Sequence, residues 1–98
     1  MAKYLMLWEM DLAKVPIDPQ ERAKAWEPFV QAIKQDMENG IGKDWGAFVG
    51  ELRGYTVVEG TEVEIEQMVN QYLPFVTFKT HPVVSLEQEA EVIKALSK

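Results

Sequence analysis

The chain holds a single histidine, His81, the one side chain whose ordinary pKa puts proton transfer near neutral pH. No second imidazole stands at the spacing of a helical metal pair, so a metal site would have to recruit carboxylates from elsewhere. A haem would have His81 as its sole proximal candidate. The plainer reading is a strand-end histidine beside Pro82. A second group centres on Glu9, the acidic member of an otherwise apolar run. If the first and third strands pair antiparallel, Arg53 and Tyr55 lie next to it. Glu9, Arg53 and Tyr55 beside Trp8 can recognise a small polar ligand, or supply an acid or base where burial raises the carboxyl pKa. The bland alternative is a salt-bridged carboxylate at a sheet edge. Trp8, Trp26 and Trp45 are a large aromatic payload, suited either to an aromatic-lined pocket between sheet and helices or to plain core. Together, Trp8, Glu9, Arg53, Tyr55 and His81 are the candidate ligand pocket. None of them is assigned as catalytic, and no metal or cofactor is expected.

Other chemistry is excluded outright. The chain has no cysteine, so it has no disulfide framework, thiolate zinc site, iron–sulfur cluster or thiol nucleophile. The glycines at 40, 42, 46, 50 and 54 lack the lysine and hydroxyl residue of a phosphate loop. A net charge of −6, with lysines and arginines scattered singly, argues against nucleic acid and anionic membranes as partners. No stretch approaches the roughly 20 apolar residues of a membrane span. The apolar start, Tyr4 to Trp8, is too short for a signal-peptide core. A soluble, cytoplasmic protein is the expectation.

The elements that must position these residues follow from pattern. Hydrophobic residues at 47% and charged residues at 27% fit one globular domain spanning all 98 residues. Lys3 to Met10 is apolar on both alternations, with Tyr4, Met6, Trp8 and Met10 on one face and Leu5, Leu7 and Glu9 on the other. It reads as a central strand. Asp18-Pro19 with Glu21 opens a helix whose apolar stripe is Ala23, Trp26, Val30, Ile33 and Met37. Pro28 should kink or split it, and Asn39-Gly40 should stop it. Asp44–Gly50 and Tyr55–Glu59 read as a hairpin around Arg53-Gly54, its glycines marking a bulge or a close backbone approach. Thr61 with Glu64 caps a second helix, lined by Ile65, Met68, Val69, Tyr72 and Leu73 and ended by Pro74. Phe75–His81 is a fourth strand, and Ser85 with Gln88 opens a C-terminal helix. Glu87, Glu89 and Glu91 are a solvated face of that helix.

The order βαββαβ, under right-handed crossovers, predicts an α+β, ferredoxin-like antiparallel sheet of strand order 4132. Both long helices then cover one face. Apolar residues on both alternations leave the other face in need of a cover, which a second copy of the same sheet supplies. A homodimer through sheet faces is the expected assembly.

The first strand (KYLMLWEM), the hairpin block (KDWGAFVGELRGYTVVEG) and the end block (YLPFVTFKTHPVVSLEQ), with its Pro82-Val83 pair, resemble a family catalogued as domain of unknown function 3303. That family is similar to the dimeric α+β barrel superfamily, and the resemblance spans nearly the whole chain. It implies the fold and the dimer. The superfamily includes cofactor-free monooxygenases, isomerases, haem enzymes and effector domains of transcription regulators, so it selects no single chemistry. Three readings remain: a dimeric ligand-binding or interaction module, which is favoured; a cofactor-independent enzyme of the monooxygenase or isomerase kind, with a pocket near Trp8, Glu9 and Tyr55; and a sensing module that works with a partner protein.

Overall fold

The computed structural model describes residues 2–98. Its strands are β1 (Lys3–Met10), β2 (Gly42–Ala47), β3 (Arg53–Glu59) and β4 (Val76–Val83). Its helices are α1 (Pro19–Glu38), α2 (Glu62–Asn70) and α3 (Leu86–Leu96), with a short 3₁₀ turn at Leu12–Lys14 that the sequence did not announce. The three long helices start where capping chemistry requires. Asp18 accepts from the Glu21 amide at 3.2 Å, and Thr61/Glu64 and Ser85/Gln88 form reciprocal capping boxes. α1 runs as one element through Pro28, so the interruption does not split it in two. Asn39 ends it, and Gly40 follows at φ 88°, a left-handed conformation that glycine adopts without a steric penalty.

All strand pairs are antiparallel and the sheet order is β2-β3-β1-β4, the predicted order read from the opposite edge. β1 is central, as its doubly apolar run requires. The hairpin differs from expectation in one respect. Arg53 and Gly54 belong to β3 rather than to the turn, which instead occupies Phe48–Leu52, closed by Phe48 N–H donating to Arg53 O at 2.9 Å. Gly50, at φ 81°, is the turn glycine; Gly54 has another task, described below. A register shift between Gly42 and Asp44 places the expected bulge in β2.

The core lies on one face of the sheet. Met6, Trp8, Met10, Val58 and Val76 from the strands meet Ile65, Met68, Val69 and Tyr72, with Trp26, Phe29, Ala32 and Ile33 of α1 packed over them. The opposite face carries Leu5, Leu7 and Glu9, flanked by Val57, Tyr55 and Arg53 on β3 and by His81, Lys79 and Thr77 on β4. Among the described residues no helix covers that face. α3 also stands apart, since every one of its residues is exposed. Among the described residues no helix is long and apolar enough to cross a membrane.

Candidate functional site

The pleat separates the residues that the sequence placed in one pocket. Glu9, Arg53, Tyr55 and His81 all project from the open face, whereas Trp8 projects from the helix-covered face. Arg53 does meet Glu9, at 3.6 Å, and also Glu51, at 3.5 Å, but this cluster is exposed to solvent. The Tyr55 hydroxyl donates to Asp44 Oδ2 at 2.9 Å, which raises the phenol pKa by tying its proton to a carboxylate. His81 lies exposed on the edge strand, opposite Leu5. Glu9, Arg53 and His81 are thus exposed polar groups on that face.

An enclosed, aromatic-lined site is on the other side. A cavity of about 60 Å³ lies between sheet and helices, lined by Trp8, Trp26, Trp45, Phe29, Tyr72 and Phe78 together with methionines and valines. Beyond Trp26, Phe29 and Met10, which they share, a groove of about 270 Å³ runs between α1 and the chain around Val15 and Pro16. Trp26 and Phe29 therefore form the wall between an inner cavity and an outer groove. The two volumes together reach the lower end of the range for small-molecule sites, about 300 Å³.

Glycines build the strand side of this site. Trp8 stacks on Trp45 with ring centroids 5.4 Å apart and planes 8° from parallel. Its indole Nε1 donates to the carbonyls of Gly46 and Tyr55, both at 3.2 Å. The ring crosses its strand neighbour Gly54, where a Cβ would stand 2.6 Å from Trp8 Cζ2 and collide with the Gly46 carbonyl. Gly46 serves the opposite face in the same way, because a side chain there would run into the Tyr55 ring. The close backbone approach expected of these glycines is thus a seat for two aromatic rings.

Besides the paired Trp8 indole and the Tyr72 hydroxyl, three polar groups belong to residues of this largely apolar lining. Thr56 is buried and satisfied, donating to Asp44 O at 2.8 Å. Asp36 is 7% exposed, on the α1 face turned toward the core. One of its oxygens accepts from the Tyr72 hydroxyl at 2.7 Å, and the other accepts from Gln71 Nε2 at 3.2 Å. Burial, and then the hydrogen bond and negative charge of Asp36, push the Tyr72 phenol far above its usual range, so it stays a donor. The third group is Trp26 Nε1, the one buried side-chain polar atom without a hydrogen-bond partner among the described residues. Buried donors are nearly always paired, so this one stands out, on a residue that borders both the cavity and the groove.

Asp36 escaped the sequence reading, yet its signal was present. Trp26, Phe29, Ile33 and Asp36 recur at spacings of three, four and three, which sets a carboxylate on the apolar stripe of the helix. Among the described residues no group of three or more metal-ligating side chains comes together. No family model matches the chain, and no curated protein does.

Proposed function

We propose that the chain is a ligand-binding module of the ferredoxin-like, dimeric α+β barrel kind, akin to the uncharacterised family it resembles. Its ligand is a small, mostly apolar, flat molecule carrying one hydrogen-bond acceptor. The aromatic cavity, bordered by a tryptophan whose buried indole N–H has no partner among the described residues, carries this reading. The rings of Trp8, Trp45, Phe29 and Phe78 supply apolar surface, and Trp26, once its ring turns, supplies a directional N–H contact of the kind such sites use for orientation. As it stands the cavity falls short of the roughly 150 Å³ known to take a benzene-sized guest. A ring enters when Trp26 and Phe29 turn and join the cavity to the groove outside. The enzyme reading has less support, because Glu9 and Tyr55 lie on the solvated face, away from the cavity that Trp8 lines.

Dimerisation belongs to the same proposal. The open face presents Leu5, Leu7, Tyr55 and Val57 as a central apolar strip with ion pairs at both ends, Lys3–Glu59 and Arg53–Glu9. A second copy laid on this strip removes it from water.

Tryptophan fluorescence titrated with 1,4-naphthoquinone, which carries carbonyl acceptors, against naphthalene, which has none, tests the ligand reading. Saturable quinone binding about tenfold tighter than naphthalene is expected, with the difference lost in Trp26→Phe, since one hydrogen bond is worth about 1.4 kcal/mol. Equal affinities, or no saturable binding up to about 1 mM, would refute it.

A further inference from the structure

α3 has the build of a docking helix, yet every one of its residues is exposed. Its capping box starts it cleanly, and Leu86, Ile93 and Leu96 are 83%, 56% and 76% exposed. An isolated helix of this length is marginal in water, and most helices owe their stability to a packed apolar face. The helix also projects well beyond the body. The chain measures 60 Å along its longest axis, whereas the 20-residue α1 accounts for only about 30 Å.

We infer that α3 is an exchanged arm, its apolar row seated on a second copy of this chain beyond the margin of the sheet-to-sheet contact. This rests on the sheet dimer proposed above and adds to it. Two arguments select a second copy as the occupant. The first is area. Four strands about 4.8 Å apart and about 24 Å long offer a footprint of roughly 450 Å², well short of the about 800 Å² per partner in a standard stable interface. One side of an 11-residue helix covers about 160 Å². Each copy both gives an arm and receives one, which brings its share close to the standard value. The second is charge. The first half of α3 carries Glu87, Glu89 and Glu91. The open face that would meet a second copy sets Lys3, Lys43, Arg53 and Lys79 against Glu9, Asp44 and Glu59, which leaves Lys79, on the β4 edge, without an ion pair among the described residues. Acidic arm and lysine-bearing sheet margin are complementary between copies.

Sedimentation from about 1 to about 100 µM, on the full chain and two variants, tests this. The double variant Ile93→Glu/Leu96→Glu alters only exposed side chains of α3, so its near-ultraviolet tryptophan circular dichroism should match the wild type. Its dimer dissociation constant should rise about a hundredfold or more. Amide exchange across 86–96 should be slow in concentrated wild type and fast on dilution. A wild-type dimer weakened by Leu7→Lys but not by the α3 variant overturns the arm and leaves the sheet contact standing. A dimer weakened by the α3 variant but not by Leu7→Lys overturns the sheet contact. A wild type that remains monomeric throughout overturns both.

Discussion

Gly54→Ala is a small substitution that should have a large effect. The new methyl would meet Trp8 Cζ2 at 2.6 Å and the backbone carbonyl of Gly46 closer still. The carbonyl belongs to the β2–β3 ladder, so relief must come from Trp8 turning away or from the two strands splaying apart. If Trp8 turns, it gives up its stack on Trp45, worth about 0.5–1.5 kcal/mol, and its bonds to Gly46 O and Tyr55 O, worth about 1 kcal/mol net. Overpacking elsewhere in the core adds about 1–3 kcal/mol. A total of about 2.5–5.5 kcal/mol lowers the melting temperature of a domain this size by roughly 10–45 °C. Urea denaturation followed by tryptophan fluorescence measures the energy, and near-ultraviolet circular dichroism follows the Trp8–Trp45 pair. Gly50→Ala is the control. At φ 81° with nothing within 4 Å of a Cβ, it incurs only the left-handed backbone penalty of about 1–2 kcal/mol and should leave the tryptophan spectrum unchanged. A Gly54→Ala protein within about 1 kcal/mol of wild type and with an unaltered spectrum would show that the ring is not seated on Gly54.

Tyr72→Phe removes a hydrogen bond to a buried carboxylate and should cost about 1.5–3 kcal/mol at neutral pH by denaturant titration. The same variant should change alkaline behaviour. The folded-state pKa of Tyr72 is raised, so its contribution is complete below the unfolded value near 10 and is lost above it at about 1.4 kcal/mol per pH unit. Stability measured from about pH 9 to 11 should therefore fall less steeply in Tyr72→Phe than in wild type, and parallel slopes would count against the buried phenol. Trp26→Phe, which removes an unpaired buried donor, should be neutral or slightly stabilising in thermal melts while losing the quinone preference. His81→Asn, on an exposed edge strand, should shift stability by no more than about 0.5 kcal/mol, and stoichiometric metal or haem lost with it would reverse that view.

The sheet was readable because its informative features are local. The double-sided apolar run of β1 placed that strand at the centre, and all three predicted helix starts are side-chain caps a few residues long. The hairpin turn was misread because Arg53-Gly54 has turn composition, while the reason for Gly54 is a tryptophan 46 residues away in sequence. The candidate pocket divided for a related reason. Glu9 and Trp8 are neighbours in the chain, and adjacent strand residues point to opposite faces, so proximity in sequence put them together where the pleat keeps them apart. Tyr55 and Arg53 were placed correctly beside Glu9 in register, but on the solvated side. Asp36 was overlooked because an acid inside an apolar stripe reads as a helix-surface residue until the partner Tyr72 is in view, and that partner comes from the far side of the hairpin.

The margins of the sheet bear on how the chain behaves in a crowded solution. β4 forms one outer edge, and it carries Lys79, His81 and Pro82 in place of an uninterrupted apolar strand. Pro82 has no N–H to offer an incoming strand, and a lysine there would have to be desolvated by one. At the other margin the shift between Gly42 and Asp44 breaks the even spacing that a new ladder needs. Stacking of copies edge to edge into a growing ribbon is therefore obstructed on both flanks, and the two strands whose composition most favours fibre formation, the apolar β1 and β3 with its Thr56-Val57-Val58 run, are kept in the interior where no stray segment can add to them.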